Sequence, residues 1–163
     1  MITPEYARTL ARYNRWMNGK LYDAAAQLDD AARKADLGAF FKSIHGTLNH
    51  LLLADRVWMG RFVGPTFVPQ SLGQELYADF AELRRERERT DAAIETYVAG
   101  LDDEALRGVL RYTSISRPAP QEKPLGLALA HFFNHQTHHR GQVTTLLMQR
   151  GVDPGVTDLI AMP

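Results

Sequence analysis

All six histidines of this chain lie in two short segments of the sequence. They are His45 and His50 in the first segment, and His131, His135, His138 and His139 in the second. Neutral imidazole is a common ligand of divalent metal ions, and histidines four positions apart project from one face of a helix. A pair from the second segment and one histidine from the first would form a three-histidine site with an open coordination position.

The second segment has helical periodicity, and two pairs of its histidines could share an ion. At about 100° per residue, His131, His135 and His139 form one stripe within or beside the apolar face. His131 and His139 are about 12 Å apart along the axis, so both cannot bind one ion. The pair is His131 with His135 or His135 with His139, and spacing alone does not decide. His138 lies at the margin of the stripe, where we expect a surface or supporting role.

The first segment also has helical periodicity, and His50 lies at the edge of the apolar face of the helix predicted there. Its neighbours on that face are small, which leaves room for an ion, water and substrate; they are Ser43, Gly46, Thr47 and Ala54. His45 points about 140° away from His50, so it cannot share the same site. We expect His45 to be a solvated or hydrogen-bonded residue.

Composition limits the class of protein. The chain has 163 residues, of which 45% are hydrophobic, and this predicts one domain over residues 1–163 with its own core. Nineteen basic and nineteen acidic residues are mixed along the chain, which argues against nucleic-acid binding. The absence of cysteine excludes thiolate ligands and a cysteine nucleophile. A charged N-terminus and the lack of a long apolar run predict a cytoplasmic protein with no membrane contact.

Turn signals and apolar spacing predict four long helices. Thr3 and Pro4 open the first, Ser71 and Gln74 resemble a capping box before the third, and Gly100 ends it. The predicted bounds are about 3–28, 37–62, 71–98 and 124–150. Residues 102–122 are irregular, and the strand character of residues 111–116 suggests a short hairpin there. The predicted fold is all-α, a four-helix bundle with a long crossover loop between helices three and four.

Two charged features fall on these predicted helices. Asp55 lies in the middle of an apolar arc, and a buried carboxylate needs a partner. We interpret Asp55 as a tie between helices, with Trp16, Asn14 or an arginine of the first helix as its partner. The run R-R-E-R-E-R from Arg84 to Arg89 is interpreted as a solvated helix face.

Three motifs in this order resemble the DinB/YfiT-like superfamily of metal-dependent enzymes. They read Y-N-R-W-M-N at 13–18, L-N-H-L-L-L-A-D-R-V-W at 48–58, and N-H-Q-T-H-H-R-G-Q-V at 134–143. The third motif is the most specific, and the resemblance spans nearly the whole chain. It implies a bundle of four helices and a divalent metal ion on His50, His135 and His139. It also implies a homodimer, and it places His131 at a position that is often histidine without being a ligand.

The chemistry of such a site suggests an enzyme. Three neutral imidazoles leave a divalent ion with its full charge, which lowers the pKa of bound water or thiol. Zinc or nickel is the first expectation, with iron or manganese as further options. By analogy with related families, we expect a transferase, isomerase or hydrolase acting on a small molecule, with a low-molecular-weight thiol as cosubstrate. The candidates for substrate contacts are Tyr13, Arg140 and Gln142.

Two alternatives to an enzyme remain at this point. One is a non-catalytic metal-binding protein of a stress response, in which the ion is structural or sensory. The other is a helical protein whose histidines only pack.

Overall fold

The computed structural model describes residues 2–115 and 118–163. Within these ranges the chain forms six α-helices and two β-strands, followed by a 3₁₀ turn at Leu159–Ala161. The helices are α1 (Pro4–Ala26), α2 (Asp30–Lys34), α3 (Ile44–Val63), α4 (Phe80–Ala99), α5 (Asp103–Arg107) and α6 (Leu125–Gln149). The strands are β1 (Val109–Thr113) and β2 (Pro120–Pro124).

Side-chain caps set the first turns of three long helices. The Thr3 side chain accepts a hydrogen bond from the Tyr6 amide at 3.1 Å, and Pro4 begins α1 as predicted. Ser43 caps α3 through the Gly46 amide at 3.0 Å. Asp79 caps α4 through the Glu82 amide at 2.7 Å.

The predicted starts of the second and third long helices were wrong. The second was expected near residue 37, but Lys42 has a φ of 66° and forms a bridge with Ala39, so a turn precedes α3. The third was expected to begin near Ser71. Gln74 instead accepts a hydrogen bond from the Gln70 amide within a loop, and α4 begins only after its cap at Asp79.

The four long helices pack against one another in a closed pattern. Helix α1 contacts α4 and α6, and α3 contacts the same two helices. Their apolar faces form two clusters. The first cluster includes Met17, Leu21, Leu48, Leu52, Leu83 and Leu147. The second cluster includes Ala7, Ala11, Ile94, Leu129, Phe132 and Phe133.

A short antiparallel sheet lies in the connection between α4 and α6. Its register pairs Val109 with Pro124 and Thr113 with Pro120, and Leu110 is buried beneath it. The all-α prediction is therefore correct in that the structure is mostly helical, and the sheet falls where a short hairpin was expected. Ser116, part of the segment with predicted strand character, lies outside the described residues.

A set of buried polar side chains, which we call the polar layer, separates the two apolar clusters. Each is at most 3% exposed, and they are Asn14, Asn18, Asp55, Arg87, Asp91, Gln136 and Arg140. On every long helix, they lie between members of one apolar cluster and members of the other. All four long helices are therefore joined through one polar cross-section.

Arg87 is the centre of the polar layer. Its guanidinium donates to Asp55 Oδ2 at 2.6 Å and lies 2.8 Å from Asp91 Oδ1. Gln136 Nε2 donates to Asp55 Oδ1 at 2.9 Å. Burial alone lowers the pKa of Arg87, but the two carboxylates outweigh it and hold the pKa above the ordinary value. The guanidinium therefore stays charged.

The polar layer corrects two expectations. Asp55 does tie helices together, but its partners are Arg87 of α4 and Gln136 of α6, and no residue of α1 bonds to it directly. The charged run at residues 84–89 is not wholly solvated, because Arg87 is only 2% exposed. Arg87 lies one turn from Leu83 and Asp91, on the face of α4 that points inward.

Among the described residues, no helix combines the length and the apolar character needed to span a lipid bilayer.

Candidate metal centre

His50 of α3 and His135 and His139 of α6 converge where these two helices pack together. One ring nitrogen from each lies within 4.8 Å of the other two. The Nε2 atoms of His135 and His139 are 3.0 Å apart. We call these three residues the histidine group. A group of this composition and spacing could hold a metal ion.

Hydrogen bonds set the tautomers of two of these rings. His50 Nδ1 lies 2.9 Å from the Leu72 carbonyl oxygen, which can only accept, so Nδ1 carries the proton. His139 Nδ1 lies 2.7 Å from Gln142 Oε1 and donates to it in the same way. In both rings, Nε2 keeps its lone pair. A partner of this kind on the far nitrogen is the usual support of a metal-binding histidine.

The histidine group is uncharged at neutral pH. Burial, with the nearby His139 ring as a smaller effect, lowers the pKa of His50 to about 4. Burial and the surrounding histidines lower the pKa of His135 to about 3. Burial also lowers the pKa of His139, although its bond to Gln142 opposes the shift. Neutral imidazole is the form that binds metals, so no proton has to leave first.

The spacing of the histidine group fits a divalent ion. With Zn–N bonds of about 2.0–2.1 Å, tetrahedral geometry separates ligand nitrogens by about 3.3 Å. The 3.0 Å between the two Nε2 atoms of α6 and the 4.8 Å limit for the whole group lie on either side of this value. An all-imidazole donor set suits zinc, nickel or iron, whereas manganese more often takes oxygen ligands. Within residues 2–115 and 118–163, no carboxylate joins the group.

The histidine group has one covered side and one side that borders a cavity. Phe41 stacks on His50 with ring centroids 3.8 Å apart and planes at 16°, and it also contacts His139 edge-on. His50 and His135 line a cavity of about 320 Å³. Its other walls include Ala54, Trp58, Arg61, Tyr112 and His131. A small molecule could therefore reach these two rings from the cavity.

The other three histidines occupy different surroundings. His131 lines the cavity, and its ring centroid is 6.0 Å from that of His135, compared with 4.3 Å between His135 and His139. His138 is exposed and packs edge-on against His139. His45 is buried, and its Nε2 makes a 2.9 Å hydrogen bond to the Tyr77 carbonyl, in line with the hydrogen-bonded role expected for it.

The three candidates for substrate contacts are dispersed in the structure. Gln142 contacts the histidine group through His139. Arg140 belongs to the polar layer, where it bonds to Asn14 and Thr137. The Tyr13 hydroxyl donates to the Thr157 carbonyl at 2.5 Å.

The sequence reasoning missed Arg61, which lines the cavity beside the histidine group. The sequence did contain a signal for Arg61. It follows His50 by eleven residues on α3, and at about 100° per residue this places the two side chains within about 20° of each other around the helix. Tyr112 and the Leu72 carbonyl had no such signal, because loops and a hairpin bring them to the site.

Similar proteins indicate the family to which this chain belongs. The family model described as DinB family matches residues 1–163. The chain is 27% identical over 158 residues to Protein DinB of Bacillus subtilis (strain 168), covering 94% of this chain and 91% of that protein. Its fold is similar to the crystal structure of a DinB-like protein from Bacillus cereus ATCC 10987. That similarity has a TM-score of 0.65 at 17% identity and covers 86% of this chain and 91% of the other. Because the family model matches all 163 residues of this chain, the chain belongs to the DinB family.

Proposed function

We propose that this protein is an enzyme that uses a divalent metal ion, held by His50, His135 and His139, to act on a small molecule. The observation that carries the proposal is the convergence of three uncharged imidazoles beside a cavity. Three protein ligands and an open position are the pattern of catalytic rather than structural metal sites.

The residues around the histidine group have separate tasks in this proposal. The Leu72 carbonyl and Gln142 orient the rings of His50 and His139 and keep each Nε2 unprotonated. Phe41 keeps water from one side of the group. A divalent ion bound there would lower the pKa of a bound water or thiol and polarise a bound oxygen. The cavity at His50 and His135 receives the substrate.

The reaction class is proposed by analogy with related families. We propose thiol-dependent transfer or isomerisation, and hydrolysis as the variant in which water takes the place of the thiol. The chain has no cysteine, so in this scheme the thiol arrives with a cosubstrate. Zinc and nickel are the preferred ions, followed by iron and manganese.

We also infer the architecture that supports the site. The closed pattern of contacts among α1, α3, α4 and α6 favours a four-helix bundle within a single domain. A homodimer is proposed from the family resemblance.

Elemental analysis of protein purified without an affinity tag tests the proposal. We expect about one divalent ion per chain in the wild type and a loss of the ion in His50→Ala, His135→Ala and His139→Ala. His131→Ala and His138→Ala are the matched controls and should retain it. Loss of the ion from His131→Ala but not from His139→Ala would show that the ligand set is wrong.

A second measurement separates an enzyme from a metal-binding protein without catalysis. In the cobalt-loaded protein, a thiol that reaches the open position should change the absorption spectrum of the ion. A spectrum that no thiol or other small molecule changes would favour a structural or sensory ion.

A further inference from the structure

Arg61 differs from two other arginines, Arg56 of the same helix and Arg111 of β1, in having no acidic partner. Arg56 pairs with Glu86, and Arg111 pairs with Glu122. Within residues 2–115 and 118–163, no carboxylate lies within ion-pair distance of Arg61. Its side chain is half-buried, and this burial lowers its pKa. Arginine nevertheless stays charged at neutral pH, so a partly desolvated cation faces the cavity without a counter-charge.

Aromatic rings hold the Arg61 guanidinium in place. Its Cζ lies 4.4 Å from the ring centroid of Trp58 and 4.4 Å from that of Tyr112. Contact of this kind uses the face of the planar guanidinium, and the N–H donors at its edge remain available. A carboxylate matches this edge, because its two oxygens can accept two parallel hydrogen bonds.

Arg61 stands where two cavities meet. The cavity that reaches His50 and His135 shares five lining residues, among them Val57, Arg61 and Tyr112, with a larger cavity of about 670 Å³. The larger cavity has apolar side chains in its wall, among them Phe67 and Val68. A molecule that contacts Arg61 can therefore extend toward the histidine group on one side and into an apolar space on the other.

The distance from Arg61 to the histidine group limits the length of such a molecule. Arg61 and His50 are about 16 Å apart along the axis of α3, but long side chains in helices point toward the N-terminus, here toward His50. His131 lines the same cavity as Arg61 and His50, and the charge of Arg61 contributes, after burial, to lowering the pKa of His131. The span left for a ligand is on the order of 10 Å.

We propose that Arg61 binds a carboxylate of the substrate, and that the substrate is a carboxylic acid whose reacting end lies beside His50 and His135. This inference rests on the proposed function, since it names the substrate class of the same site. Arg61 is a binding residue in this scheme, and His131 can donate a second hydrogen bond to the same carboxylate.

Calorimetric titration of metal-free protein with benzoate and with benzamide tests the proposal. The two probes have similar shape and differ in charge, and the absence of metal prevents the carboxylate from binding an ion instead. We expect the wild type to bind benzoate at least about tenfold more tightly than benzamide. Equal affinity for the two probes would overturn the proposal without any variant.

Three variants test whether the preference for benzoate over benzamide depends on Arg61. Arg61→Met and Arg61→Gln both remove the charge, and each should reduce the preference for benzoate to less than about twofold. Two replacements are used so that a failure of one to fold leaves the other, with circular dichroism to confirm folding. Arg111→Met is the control, because it removes an equal charge that lines the larger cavity and is already paired. A preference that survives in both Arg61 variants, or disappears in Arg111→Met, contradicts the proposal.

The experiment distinguishes this inference from the proposed function. Benzoate preference that depends on Arg61, in a protein that takes up no metal, would support the carboxylate site and refute the metal enzyme. Metal uptake that depends on the three histidines, without any benzoate preference, would refute the carboxylate site alone.

Discussion

The polar layer and the histidine group are both buried polar clusters, and α6 contributes to both. Gln136 and Arg140 belong to the polar layer, whereas His135 and His139, one position earlier in each case, belong to the histidine group. The polar layer contains charged groups that bond to one another. The histidine group contains uncharged rings, two of which keep a lone pair on Nε2.

This difference separates a structural role from a binding role. In the polar layer, the charged groups bond to protein partners, so removal of one partner leaves another charge buried. In the histidine group, the bonds at Nδ1 orient the rings while Nε2 stays available. We therefore expect the polar layer to control the free energy of unfolding and the histidine group to control metal binding.

The largest expected effect is from Arg87→Met. The substitution keeps most of the side-chain volume but leaves Asp55 and Asp91 buried without their counter-charge. The free energy of unfolding, measured by urea denaturation, should fall by about 3–5 kcal/mol. Arg89→Met is the control, since Arg89 is exposed, and should change stability by less than about 0.5 kcal/mol. A loss below about 1 kcal/mol for Arg87→Met would mean that the layer does not stabilise the fold as described.

The next effect is stabilisation by metal. Zinc at about a hundred times its dissociation constant should raise the free energy of unfolding of the wild type by about 2.7 kcal/mol. His135→Phe should show no such rise, because it removes one of the proposed ligands. His138→Phe changes an exposed histidine and should behave as the wild type. Thermal denaturation with and without zinc measures all three proteins, and an equal rise in His135→Phe would place the ion elsewhere.

Two glutamines of α6 offer a matched comparison of the two regions. Gln136→Leu removes a donor to buried Asp55, so it should cost about 1–3 kcal/mol of stability and leave metal affinity unchanged. Gln142→Leu removes the partner of His139, so it should lower metal affinity about 10–100-fold with little change in stability. Denaturation and metal titration of both variants give the four values. If Gln136→Leu instead lowered metal affinity and Gln142→Leu lowered stability, the structural role of the polar layer and the binding role of the histidine group would be wrongly assigned.

The smallest effect is expected for His135→Phe in metal-free protein. His135 makes no bond to a charged group, and its ring borders a cavity that can receive the phenyl ring. The free energy of unfolding should change by less than about 1 kcal/mol. A loss close to that of Arg87→Met would instead give the histidine a structural role like that of the polar layer.

The sequence contained enough information for part of each region. The stripe of histidines on α6 and the position of His50 followed from helical angle and rise, and Asp55 was recognised as a carboxylate on an apolar arc. Arg87 was missed because its neighbours in the charged run are mostly solvated. It differs from them only in lying on the face of α4 that points into the protein.

Other features depend on tertiary structure and had no local signal. The Leu72 carbonyl reaches His50 from the loop between α3 and α4, and the path of that loop is set by contacts with distant residues. The length of this loop was also underestimated, because Ser71 and Gln74 have the spacing of a helix cap. Tyr112 meets Arg61 only after the hairpin has formed.

Two stripes of side chains run side by side on α6, one in the histidine group and one in the polar layer. Their relative position restricts the number of residues in this segment more than the types of those residues. His135 with His139, and Gln136 with Arg140, are each one helical turn apart, and the two stripes lie about 100° from each other. One residue inserted just before His135 would rotate everything that follows by that same angle relative to the residues before it. Deletion of one residue would do the reverse. We therefore expect homologous sequences to vary in residue type along this segment far more often than in the number of residues it contains.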